Sequence, residues 1–158
     1  EYAKKFGYKS VTVSEKPNVL RETSGMVEEE AKSISKEYPE VELWSVNIDA
    51  IMMWLTKNPE DYGIFVCENL FGDILSDGFA GLVGGLGFAC SGNIGKEYAV
   101  FEPTHGSAPK YENLNPPIVN PIAMILSAAM LCDHIGEKEI GDKIRNAVGE
   151  VIMMRIPG

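Results

Sequence analysis

Glu68-Asn69-Leu70-Phe71-Gly72-Asp73-Ile74-Leu75-Ser76-Asp77 carries two carboxylates four residues apart, in a segment that opens a helix. At 3.6 residues per turn, Asp73 and Asp77 share one face. Two anions on adjacent turns repel, so the pair costs stability unless a cation lies between them. A hard divalent ion, Mg²⁺ or Mn²⁺, suits such oxygen donors. Alone, the spacing is also that of any exposed acidic helix start. Upstream, Tyr62 to Cys67 is a short, continuously apolar run, which reads as a strand of a sheet covered on both faces. A strand running directly into a helix is the repeating step of an α/β fold.

The rest of the chain continues the step. Lys9 to Val13 alternates and is β-branched, as a strand. Pro17 breaks the chain, Val19 to Tyr38 is broadly helical, and Pro39 ends that helix. Val41 to Ile48 reads as a second strand, Ala50 to Leu55 as a short apolar helix closed by Asn58-Pro59. The glycines of Gly78 to Gly87 read as close packing and a tight helix exit. Gly84-Gly85-Leu86-Gly87 lacks the lysine of a P-loop and the spacing of a dinucleotide fingerprint. Ala99 to Glu102 reads as a short strand, and Thr104 to Pro117 as a long loop of the kind that carries function. Pro121 to Ile135 is an apolar helix ended by Gly136, and Glu137 to Met154 a final amphipathic one.

Composition narrows the class. At 158 residues the chain can form a real core, and 45% apolar content is ordinary for a globular protein. A net charge of −9 gives no footprint for nucleic acid or anionic membrane. No apolar run approaches the ~20 residues that span a bilayer. The longest, Ile122 to Cys132, reads as a buried helix. No secretory leader is readable. Cys67, Cys90 and Cys132 lie far apart without metal-ligand spacing, and read as small buried hydrophobes of a reduced, cytoplasmic protein. Glu1 to Gly7 reads as the last turns of a helix whose start is absent, and Arg155 to Gly158 as a turn with no closing element. The chain is therefore expected to be part of something longer.

Three carboxylates stand near strand-to-helix transitions: Asp49, after the strand ending at Ile48, then Asp73 and Asp77. With substrate oxygens they would complete an octahedral magnesium site. Lys16 follows another strand and is held by Pro17. A lysine near a cation, desolvated by closure, can lose its proton near neutral pH and act as a base. Taken singly, Lys16 is equally a solvated surface lysine. In the long loop, His105-Gly106-Ser107-Ala108-Pro109 is small enough for backbone to approach a ligand closely.

Five motifs then occur in one order and spacing: Lys16-Pro17-Asn18, Asp49-Ala50, Asn69 to Asp77, Phe101-Glu102-Pro103-Thr104-His105-Gly106-Ser107-Ala108-Pro109, and Asn120-Pro121. Across nearly all its length the chain resembles the metal-dependent β-decarboxylating dehydrogenases of 2-hydroxy acids, which act on isocitrate, 3-isopropylmalate or homoisocitrate. The resemblance implies the isopropylmalate-dehydrogenase-like α/β fold, which is not a Rossmann fold, here as a partial chain. Residues 1–87 would be the remainder of the smaller domain, for substrate, metal and dimer contacts. Residues 88–158 would be the return segment of the larger, cofactor-binding domain.

The resemblance also assigns roles. Lys16 matches the lysine that helps deprotonate the substrate hydroxyl. Asp49, Asp73 and Asp77 match the metal aspartates, and Asp49 also matches a participant in proton transfer. Asn18 and Asn69 match residues near substrate and nicotinamide, and Glu102 a glutamate near the nicotinamide ribose. His105, Gly106, Ser107 and Ala108, with Asn120, match the loop holding the cofactor's adenosine. Lys110-Tyr111 resembles the NADP-using bacterial isocitrate enzymes, where a cation meets the 2′-phosphate. NADP is thus the first choice and NAD the alternative, with Mg²⁺ or Mn²⁺. Two departures stand out: Glu112 to Pro117 replaces the family's usual Ala-Gly-containing turn, and Glu68 stands where a small residue or proline is common.

The implied reaction is oxidative decarboxylation of a small 2-hydroxy acid, with isocitrate first, homoisocitrate close behind and isopropylmalate third. In the family, Lys16 and Asp49 would serve the neighbouring subunit's site, so a homodimer with shared sites is expected, without nucleic-acid or membrane partners. The arginines that clamp substrate carboxylates and the proton-donating tyrosine are not in this sequence, so the 158 residues alone are expected to be inactive. The rival readings are a non-catalytic regulatory subunit, against which the presence of Lys16 and all three aspartates counts, and a bare metal- or nucleotide-binding module.

Overall fold

Val11-Thr12-Val13 begins the best β-forming run of the chain, and in the computed structural model, which describes residues 1–154, it lies in the central strand. That strand, β1 (Ser10–Glu15), is flanked in parallel by β2 (Glu42–Asn47) and β3 (Ile64–Val66), in the order β2-β1-β3. The register pairs Val11 with Leu43 and Ile64, and Glu15 with Asn47. All three strands therefore end on the same side of the sheet. The division between two compact units falls after Gly78. The expected turn at Arg155 to Gly158 lies outside the described residues.

In the first unit, α1 (Tyr2–Phe6) ends at Gly7, whose φ of 75° is the left-handed cap that glycine tolerates best. Helix α2 (Thr23–Ser35) lies on the sheet face reached by Glu15 and Ser45, which bond to its Ser24 and Glu28. Helix α3 (Ile48–Lys57) also packs on β1 and β2 and buries Ile51 and Leu55. Helix α4 runs Asn69–Leu82. Met52 of α3 reaches α4 at Gly78, where an added Cβ would lie 2.8 Å from its methyl carbon.

Several boundaries differ from the sequence reading. α2 is shorter than Val19 to Tyr38, because residues 17–22 and 36–37 form turns. The second strand stops at Asn47, so Asp49 lies in the first turn of α3 instead of at a strand end. The third strand is three residues long and is not covered on both faces: Val66 is 39% exposed. Beside it an apolar groove of about 510 Å³ runs between the sheet and α2, lined by Val11, Leu43, Ile64, Met26 and Ile34.

In the second unit, Gly84 and Gly85 have φ of 115° and 105°, the tight exit from α4 that the glycine run suggested. Strand β5 (Ala99–Pro103) pairs antiparallel with β4 (Cys90–Ile94). β4 was not legible in the sequence, since Cys-Ser-Gly-Asn-Ile has weak strand propensity. Its partner makes it a strand, and Gly92 is where the Phe101 ring packs. Helix α5 (Ile122–His134) packs on both strands, and α6 (Lys138–Met153) packs on α5. α5 was expected to be buried. It buries Ala123, Ser127 and Ala129 but exposes Met124 and Leu131, because this unit has too few layers to cover it all round. Among the described residues no helix is long and apolar enough to cross a membrane.

Candidate active site

In parallel sheets, ligands gather at the carboxyl ends of the strands. Here those ends carry Lys16 after β1, Asp49 after β2, and Glu68-Asn69 after β3. The Lys16 Nζ donates to Asp49 Oδ1 as a salt bridge. The Lys16 side chain is 23% exposed and that of Asp49 67%. Hydrogen bonding from Lys16 holds the Asp49 carboxyl below the ordinary aspartate range, helped by backbone N–H groups at the start of α3. The turn beyond Lys16 is built on its own carbonyl, which accepts the Val19 and Leu20 N–H groups at 3.0 and 2.8 Å. Asn18 sits exposed in that turn.

Asp73 and Asp77 occupy one exposed face of α4, and Asn69 is its exposed first residue. Among the described residues neither aspartate has an ion pair, so two hard oxygen donors stand free on adjacent turns. That donor chemistry fits Mg²⁺ or Mn²⁺. The three-carboxylate arrangement is not assembled within one chain: among the described residues no group of three acidic, histidine or cysteine side chains could hold a metal. Asp49 is engaged by Lys16, and α4 contributes only two carboxylates.

The second unit holds the other candidate residues. Glu102, on β5, accepts from Asn93 Nδ2 at 3.2 Å. His105 Nδ1–H donates to the Gly106 carbonyl at 2.9 Å. Gly106 and Ser107 are exposed loop residues. Ala108 takes the left-handed region, at φ 42°, ahead of the short 3₁₀ turn Pro109–Tyr111. The Lys110 ammonium lies 4.7 Å over the Tyr111 ring, and both residues are exposed. Asn120 serves the structure: the Ile122 N–H, at the start of α5, donates to its Oδ1 at 3.0 Å, and its side chain packs against Gly87.

Sequence reading missed Glu15. It is the one charged residue of β1, it is only 2% exposed, and Ser24 Oγ donates to its Oε2 at 2.7 Å. An acid immediately before Lys16, at the end of a strand otherwise made of Ser, Val and Thr, was the available signal. Near it, burial pushes the Cys67 thiol up to about 11, with the Glu15 charge as the next cause. At pH 8 only about a thousandth of it is thiolate. Labelling with a maleimide or disulfide reagent should therefore leave Cys67 slow near neutrality and accelerate as pH approaches 11. Rapid labelling of Cys67 at pH 7, tracked by peptide mass, would contradict this environment.

A model of the family described as isocitrate/isopropylmalate dehydrogenase matches residues 1–157. The chain is 50% identical over 148 residues to homoisocitrate dehydrogenase of Methanocaldococcus jannaschii, covering 94% of this chain and 42% of that protein. It is 43% identical over 152 residues to 3-isopropylmalate dehydrogenase of Methanothermobacter thermautotrophicus, covering 96% and 46%. The crystal structure of isocitrate dehydrogenase from Methylococcus capsulatus superposes with a TM-score of 0.90 at 45% identity, over 96% of this chain and 44% of that one. The chain thus spans under half the length of the relatives it matches.

Proposed function

Because this chain belongs to the isocitrate/isopropylmalate dehydrogenase family, we propose that it is the base- and metal-bearing part of an enzyme that oxidatively decarboxylates a small 2-hydroxy acid with NAD(P). The observation that carries the reading is the Lys16–Asp49 pair at the carboxyl end of the parallel sheet, with the free carboxylates of Asp73 and Asp77 on the neighbouring helix. Lys16, once it has released a proton to solvent by way of Asp49, would receive the proton of the substrate hydroxyl at Nζ as a neutral amine. Asp73 and Asp77 would hold a divalent ion, which would supply Lewis-acid stabilisation of negative charge on substrate oxygens, and NAD(P)⁺ would supply the hydride acceptor. Asn18 and Asn69 orient the substrate and the nicotinamide.

In the second unit, Glu102, the His105-to-Ala108 loop and Asn120 form the cofactor cradle, with Lys110 and Tyr111 on the 2′-phosphate of NADP. In this assignment residues 1–87 belong to the smaller domain and 88–158 to the larger one. Isocitrate is the first choice of acid, followed by homoisocitrate and isopropylmalate. A homodimer brings Lys16 and Asp49 to a second copy's aspartates. In support, α3 exposes Met53 and Trp54, and α4 exposes Leu70 and Ile74. A cytoplasmic location agrees with three unpaired cysteines.

The test joins the upstream part of the Methylococcus capsulatus enzyme to this chain. Reduced nicotinamide is followed with Mn²⁺, NADP⁺ or NAD⁺, and each of the three acids. The fusion is expected to turn over and the 158 residues alone are not. A fusion that binds Mn²⁺ and nucleotide but oxidises none of the acids would make the chain a binding module. Steady turnover by the 158 residues alone would refute the need for further chain.

A further inference from the structure

The geometry points to Glu15 as a positioning residue that fixes the strand end carrying Lys16 against the start of the helix carrying Asp73 and Asp77; the inference rests on the catalytic reading above. The backbone ladder between β1 and β3 stops at Val13 and Val66. Two residues further along the same register, Glu15 stands opposite Glu68. There the side chain takes over from the backbone: Glu15 Oε1 accepts the Glu68 N–H. Its other oxygen, Oε2, accepts from Ser24 Oγ on α2 at 2.7 Å, and Ser24 Oγ in turn accepts the Lys16 N–H at 3.3 Å. On its other side β1 remains in register with β2 up to Asn47, two residues before Asp49. One buried carboxylate thus joins three segments: the Lys16 turn, the start of α2, and the turn into α4. Glu15 and Ser24 are 2% and 0% exposed, so water is kept from these bonds.

Two acceptor oxygens are required, since both partners donate. Glutamine has one acceptor and would turn an NH₂ towards a donor. Glu15→Gln should therefore loosen both attachments, whereas Ser24→Ala should loosen only the Lys16 end. The measurement is amide exchange by NMR on the 158-residue chain, with Val13 of the same strand as internal reference. Mn²⁺ is then added to broaden the Asp73 and Asp77 resonances. In Glu15→Gln, exchange at Lys16 and Glu68 is expected to rise at least about tenfold relative to Val13. Mn²⁺ affinity should fall about tenfold, as for groups that hold metal ligands in place. In Ser24→Ala, exchange at Lys16 should rise and exchange at Glu68 should not.

Unchanged ratios at Lys16 and Glu68 overturn the proposal. So does a uniform rise that includes Val13, which marks general loosening, and so does altered exchange with Mn²⁺ affinity intact. If the parent chain broadens at neither aspartate, the metal reading fails. The exchange ratios then decide by themselves whether Glu15 fixes the two segments. Should Glu15→Gln not fold, the Ser24→Ala ratios decide the same point.

Discussion

Replacing Lys16 by methionine in the fused enzyme is expected to lower turnover by about 10²- to 10⁴-fold, the range typical for removal of a general base. Methionine keeps an unbranched apolar stem but has no amine to take the hydroxyl proton. The fold should survive, because the pair it breaks is largely solvated on the Asp49 side, and exposed ion pairs contribute little to stability. Lys16 also lowers the Asp49 pKa, so the substitution should let it rise. A carboxyl with a depressed folded pKa contributes stability above its unfolded value, lost as pH falls through the folded one. Asp49 is exposed, so the change belongs in the acid limb of activity and not in the melting temperature. Turnover within tenfold of the parent, at matched melting temperature, would remove Lys16 from the proton path.

Gly141→Val is expected to destabilise the second unit by about 1–3 kcal/mol, as overpacking does, and to lower its melting point by several degrees. A Cβ at Gly141 would stand 2.5 Å from Asp133 Oδ1 and 3.0 Å from the Ala129 carbonyl oxygen. The carboxylate can move, but the carbonyl belongs to the α5 backbone and cannot. Moving Asp133 also disturbs its two-nitrogen pairing with Arg145, which raises the Arg145 pKa and links α5 to α6. Valine, β-branched, has less freedom than alanine to avoid these contacts. Asp133→Asn is the control. Its ion pair is about one-third exposed on both sides, so the loss should stay below about 1 kcal/mol. Thermal melts of the two variants separate the effects. Equal shifts would mean that the ion pair, and not the close approach of the helices, sets the α5–α6 contact.

The helices and the central strand were legible because their signals are local. Val11 to Val13 is β-branched, Gly7 and Gly136 stop helices, and Asp73 and Asp77 keep helical spacing wherever the helix lies. β4 was not legible, since only its pairing with Phe101 and its neighbours makes Cys90–Ile94 extended. Asp49 was expected between the strand and the helix and lies inside the helix, for a related reason. Ile48 suits a strand by propensity, and the tertiary structure gives it to α3. The double role of Asn120, capping a helix and packing on a glycine, also required contacts distant in sequence.

From residue order alone came the α/β class, the acidic helix and the motifs that place the chain in its family. These depend on spacing along the chain, and helical and strand periodicities translate spacing directly into shared faces. Only the tertiary structure decided that Lys16 meets Asp49, that no third carboxylate joins Asp73 and Asp77 among the described residues of one chain, and that Glu15 is buried behind the lysine. Each of these is set by the parallel register of β1 with β2 and β3. Register comes from the packing of whole strands, so Lys16 meets Asp49 and Glu15 meets Glu68 for reasons that none of them carries individually.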